Sequence, residues 1–185
     1  MSPDRIILVV CVVAFTSFAA VTDWRLKKLP NKLTVSAFVA ALVFHLVYGL
    51  VRGGAIGAGQ QLLFALAGFG TGFGILLVLW LIGGGGGGDV KFMGALGAWL
   101  GAVLTFQVFI VSAILIAFGG ILVFAWGFID KGMMRTRARY LEKNEQPRNE
   151  NDEQRQRVRR RLMPFGVPAA LATWLVLFFS EFVLK

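Results

Sequence analysis

A chain of 185 residues that is 57% hydrophobic and only 16% charged has too little polar surface to close a water-soluble globule. Its mean hydropathy of +0.71 assigns it to a lipid bilayer. The net charge of +9 would suit nucleic acid if it covered a soluble surface. It is instead concentrated, with eleven of the 19 Lys and Arg residues at positions 131–161 and four more at 25–32, the pattern of cytoplasmic loops.

Residues 6–22 are the first apolar stretch. Its end, FTSFAAVTD, has the small residues of a secretory cleavage site, but the flanking charge favours a retained helix. Arg5 is offset by Asp4 on one side, whereas Arg25, Lys27, Lys28 and Lys32 follow on the other, which predicts an N-terminus outside. Cys11, the single cysteine, can form neither an internal disulfide nor a zinc site and is expected in the core or against lipid. Residues 33–51 hold His45, the only histidine, in mid-helix, where a packing or satisfied polar role outweighs a catalytic one.

Residues 62–82 include LAGFGTGFG, in which Gly68 and Gly72, and Gly70 and Gly74, stand at a spacing that favours close helix contact. No strand precedes these glycines, so a nucleotide-binding loop is excluded. Residues 92–128 are too long for one crossing, since 37 residues would reach about 55 Å against a hydrocarbon core of about 30 Å. They predict two helices with a tight outer turn at residues 101–107, the first helix being short. Residues 163–184 complete an all-α integral membrane fold: a six-transmembrane-helix bundle with both termini outside, forming one polytopic domain over 1–185. That topology leaves 16 basic residues inside and three, Arg5, Arg52 and Lys185, outside.

Residues 130–162 form the one sizeable polar stretch and are expected to be a basic cytoplasmic loop touching anionic lipid. Apart from Tyr140 it lacks interleaved aromatics for base stacking, so no nucleic-acid partner is expected.

Asp23, in VTDWRLKKLPNK, and Asp89, in GGGGGGDVKFMG, each sit where an apolar run gives way to basic residues. A carboxylate at a membrane helix centre costs roughly 2.5 to 3.5 kcal/mol, so acids kept beside the bilayer are functional candidates. Both fall at the inner boundary in this topology. Two carboxylates sharing a water can perform aspartic proteolysis, because one stays protonated while the other takes a proton from the water. The sequence does not assign the two roles. The competing structural reading has Asp23 end its helix and pair with Arg25, and Asp89 cap its helix and pair with Lys91. The glycine run 83–88 is expected to let the backbone approach an extended peptide, with Gly86 and Gly88 lining its path and Gly83 ending the preceding helix.

The residues Asp23, Arg25, Leu29, Pro30 and Asn31 resemble the signature that follows the first helix of type IV prepilin peptidases. Gly86, Gly88, Asp89 and Lys91 match the GxGDxK signature of those membrane aspartic proteases, and PFGVPAA at 164–170 is similar to the motif opening their last helix. The resemblance implies catalysis by Asp23 and Asp89, with Arg25, Pro30, Asn31, Gly86, Gly88 and Lys91 along the substrate path. It implies prepilin-like protein substrates cleaved at the cytoplasmic face of the bacterial inner membrane, with no metal or organic cofactor. Larger relatives carry a cytoplasmic domain after the first helix and methylate the new pilin N-terminus. The short connection here resembles the peptidase-only branch associated with tight-adherence (Flp) pili. An archaeal-type preflagellin peptidase, a channel or transporter, and a secretion scaffold are the rival readings. The transporter would need acids near mid-membrane, and no apolar stretch carries one near its middle.

Overall fold

The computed structural model describes residues 3–26, 29–83, 86–141 and 165–180. Its elements are α1 (Pro3–Leu26), α2 (Asn31–Leu81), α3 (Gly87–Leu141) and α4 (Gly166–Phe178). α1, α2 and the Gly87–Leu122 part of α3 are each long and apolar enough to cross a membrane. The chain divides into two compact units. One comprises Met1–Ala113 with Pro164–Lys185 and contains the candidate site; the other is Ile114–Met163, helical as far as Leu141.

Two of the long helices are broken by glycine. α2 loses helical geometry at Gly53 and Gly54, where Gly54 takes a φ of 59°, and α3 breaks at Gly101 with a φ of 76°. Side chains rarely adopt such values, so glycine is what permits each break. At the first, Gly49 meets the backbone of Gly57 and Ala58, so α2 folds back on itself. The described residues thus form six helical segments. The expected connection between the second and third stretches shrinks to these two glycines, because residues 55–61, although weakly apolar, continue as helix. The expected turn at 101–107 also shrinks, to Gly101 alone, and Thr105 is helical.

Small residues are prominent in the interior beside large ones such as Phe92, Met93 and Leu96, and many large apolar side chains face outward, as in membrane bundles without water to drive helices together. Ala19, Ala41, Ala65, Ala98, Ala169 and Ala172 are fully buried, whereas Phe18, Ile56 and Leu63 are exposed. The second half of α2 meets α3 through backbone contact: a Cβ on Gly68 would strike the Gly97 carbonyl, and one on Gly72 the Met93 carbonyl. Gly70 and Gly74 have nothing within 4 Å, so only the first of the two spaced pairs serves this contact.

His45 bears out its expected packing role. It is 3% exposed, with Nδ1 3.0 Å from Gln61 Oε1 and Nε2 3.4 Å from the Trp99 carbonyl oxygen. That carbonyl precedes the Gly101 break by two residues, where helix carbonyls lose their own-helix partners. The Trp99 indole N–H donates to the Ala37 carbonyl (3.0 Å), and Phe44 and Phe64 pack on the imidazole. A cavity of about 280 Å³ adjoins this cluster, lined also by Asp4, Tyr48 and Leu104.

Of the basic stretch 130–162, residues 130–141 belong to α3 and are helical, while residues 142–162 lie outside the described residues. Lys27, Lys28 and Lys185 lie outside them as well.

Candidate active site

The end of α1, the start of α2, the start of α3 and the start of α4 meet at one end of the first unit. Asp23 sits in the last turns of α1, buried to 6% exposure. The backbone N–H of Gly166, the first residue of α4, donates to Asp23 Oδ2 at 2.7 Å. A Cβ there would lie 2.9 Å from that oxygen, so any other residue forces the Asp23 side chain or the start of α4 to shift. Arg25, two residues on, is exposed, and among the described residues Asp23 is in no ion pair, so the Asp23–Arg25 pairing is not formed.

Asp89 lies in the first turn of α3, half-buried. Its Oδ2 accepts a hydrogen bond from the Gly86 N–H (3.1 Å), while the Asp89 N–H donates to the Gly86 carbonyl (3.0 Å). The first bond is the side-chain half of a capping box, a first-turn carboxylate reaching back to the N–H of the residue that opens the helix; glycine has no side chain for the other half, and the second bond is a backbone turn. The capping half of the structural reading therefore holds. Its ion-pairing half does not, because Lys91 Nζ donates to Asn31 Oδ1 at 3.0 Å.

The Lys91–Asn31 bond ties the start of α3 to the start of α2. Pro30 opens α2 in extended geometry (φ −64°, ψ 131°), and its carbonyl accepts from the N–H groups of Leu33 and Thr34. The adjoining Leu29 supports Gly88, whose added Cβ would stand 3.6 Å from the Leu29 Cβ. The two sequence motifs thus abut, and Asp23 and Asp89 lie within electrostatic reach of each other. Asp23, Asp89, Pro30, Asn31, Gly86, Gly88 and Lys91 are brought together, while Arg25 points to the exterior.

The left-handed backbone in the described part of the glycine run is at Gly83, with a φ of 93°, and not at Gly86 or Gly88. From Asn31 and Lys32, an open and mainly apolar face of α2 runs along its first half to Val43 and Phe44. Among the described residues no three His, Cys, Asp or Glu side chains gather where they could hold a metal ion.

A family model described as the type IV leader peptidase family matches residues 8–121, a stretch that contains both aspartates and the contacts between α2 and α3. The chain belongs to the type IV leader peptidase family. No match was found among curated proteins or among solved structures. Membership identifies a membrane peptidase of leader-peptidase type, and its matched region stops before α4. Gly166, which touches Asp23, is the site residue that the motif reading underused. The signal was present in PFGVPAA, but a contact between residues 23 and 166 cannot be read from spacing.

Proposed function

We propose that this leader peptidase is an aspartic endopeptidase of the bacterial inner membrane. It removes the basic leader of Flp-like prepilins or pseudopilins at the cytoplasmic face, using Asp23 and Asp89. The observation that carries this reading is two carboxylates from distant helices, within electrostatic reach, each oriented by a backbone amide and neither neutralised by a cation among the described residues. A paired cation would favour the ionised form of its carboxylate, against the shared proton that the reaction needs.

Two like charges in one site do not both persist readily, so the pair works with one proton. The protonated member donates a hydrogen bond to the scissile carbonyl oxygen. The ionised member takes a proton from water as the water oxygen attacks the carbonyl carbon. Collapse of the tetrahedral diol passes a proton to the leaving nitrogen and breaks the C–N bond, leaving a carboxylate on the leader and an amine on the pilin. The substrate's apolar segment lies along this open face of α2, whose end at Asn31 is bonded to Lys91 two residues from Asp89. The six helical segments with glycine turns at 53–54 and 101 support six crossings with both termini outside, and that orientation puts the acids in the cytoplasm beside 16 basic residues. The connection between α1 and α2 spans residues 27–30, which supports a peptidase without methyltransferase activity.

The test is to co-express a candidate prepilin with this protein and read the pilin N-terminus by mass spectrometry. Leader loss dependent on this protein, following a glycine and without a methyl increment, is the expected outcome. A prepilin left whole at normal enzyme levels would sink the substrate assignment, and cleavage of a preflagellin instead would move it to that class. Reporters fused after Lys32, Asp89 and Arg148 are expected inside, and those after Arg52, Thr105 and Lys185 outside.

A further inference from the structure

We propose that Gly166 is a positioning residue for Asp23, making the C-terminal helix α4 a third component of the peptidase site. The inference rests on the aspartic reading and deepens it, since the family match ends at residue 121. Four observations support it.

The first is the bond itself. The Gly166 N–H belongs to the first turn of α4, where amides have no acceptor within their own helix and the helix end carries partial positive charge. It is therefore free to donate, and it does so to Asp23 Oδ2 at 2.7 Å in a buried setting. Held by one oxygen, the carboxylate keeps its orientation and retains the other oxygen for the shared water.

The second is space. A Cβ on residue 166 would stand 2.9 Å from Asp23 Oδ2 and 3.0 Å from Asp23 Cβ, so any side chain pushes the amide and carboxylate apart.

The third is a second attachment. One face of α4, with Ala169, Ala170, Ala172 and Thr173, is buried, and the Trp174 indole N–H donates to Thr16 Oγ1 at 3.0 Å. Thr16 in turn donates to the Val12 carbonyl at 2.8 Å. Residues 166 and 174 lie about 12 Å apart along a helix. Two such points fix the axial register of α4 against α1, and so the position of the amide.

The fourth is the contrast with Asp89. Its amide comes from Gly86, three residues earlier in the same segment, and forms with the helix itself. Asp23, at the end of its own helix, depends on a donor 143 residues away.

Two variants test this in membranes containing the full chain. Gly166→Ala adds the Cβ. Glycolic acid placed at position 166 during cell-free synthesis into nanodiscs replaces the amide by an ester, deleting the N–H without adding bulk. Prepilin cleavage is followed at varied substrate, with Gly70→Ala as the control because Gly70 has open space around it. Both variants are expected to lose about 100-fold in kcat, the order that a misplaced catalytic group costs, with KM unchanged. A purely structural role would instead lower the amount of inserted enzyme and leave turnover per molecule intact. If Gly166→Ala fails to insert, the ester variant decides alone. An ester variant with parental kcat, or one changed only in KM, overturns the inference while the parent's cleavage preserves the aspartic reading. A parent that cuts no prepilin overturns both.

Discussion

Two buried polar clusters in this molecule are held in opposite ways. Around His45, one ring nitrogen meets the Gln61 side-chain amide, which can donate or accept, the other meets the Trp99 carbonyl, and aromatic rings cover the remainder. Around Asp23 and Asp89 each carboxylate accepts a backbone N–H, and among the described residues neither is matched by a cation. A buried polar group whose capacity is exhausted stabilises the fold. One that is aimed by the backbone but left with spare lone pairs is available for chemistry. Burial therefore does not separate the two clusters, since Asp23 and His45 are nearly equally hidden. What remains unpaired does.

The largest effect is expected where that difference is erased. Asp23→Asn and Asp89→Asn should each abolish leader removal while protein levels in the membrane stay parental. Asn keeps an oxygen that can accept the Gly166 or Gly86 amide, so packing survives, but it cannot take or share the proton. The readout is pilin mass at matched enzyme level. Substantial cleavage by either variant would put the chemistry elsewhere and remove the contrast with His45.

Next comes the backbone contact that holds α2 against α3. Gly68→Ala forces a methyl group into the Gly97 carbonyl and should destabilise by about 3 kcal/mol, whereas Gly70→Ala, on the open face, should be near neutral. Thermal unfolding in detergent measures both. Equal effects would mean that the two faces of this helix are not distinguished by packing.

That pair of glycines also marks the limit of what the sequence could tell. Apolar runs read out the helical class, because bilayer energetics act on each stretch locally. The two aspartates were legible for the same reason, as acids placed at the edges of those runs. Periodicity could nominate Gly68 with Gly72 and Gly70 with Gly74, yet not which pair meets α3. The break at Gly53 and Gly54 was blurred because residues 55–61 have too few large apolar side chains to register as a span, although they are helical. The Gly166–Asp23 and His45–Gln61 contacts join elements by tertiary packing, which no local pattern encodes.

A smaller loss is expected on the structural side of the comparison. His45→Ala should cost about 2 kcal/mol, from the cavity it leaves and the partners it orphans, and should leave kcat of the surviving enzyme at the parental value. Lower thermal stability with normal turnover is the signature. Lost turnover at normal stability would make His45 part of the catalytic machinery and collapse the distinction drawn above.

The smallest effects lie within the glycine run, where backbone conformation, and not distance from Asp89, sets the stability cost of an added methyl group. Gly83 has open space around it, but its φ of 93° strains any L-residue, so Gly83→Ala should cost about 1 kcal/mol despite the room. Gly88 has ordinary backbone, and a methyl there meets Leu29 at 3.6 Å, a normal contact, so Gly88→Ala should change stability little. A bulkier Gly88→Val is a separate matter, since its branches reach past Leu29 beside the acids. Unfolding midpoints of the two Ala variants decide the order. If Gly88→Ala is the more damaging, the run acts through contact with its surroundings, and the aspartate beside it depends on side-chain packing in the manner of His45 rather than on backbone geometry.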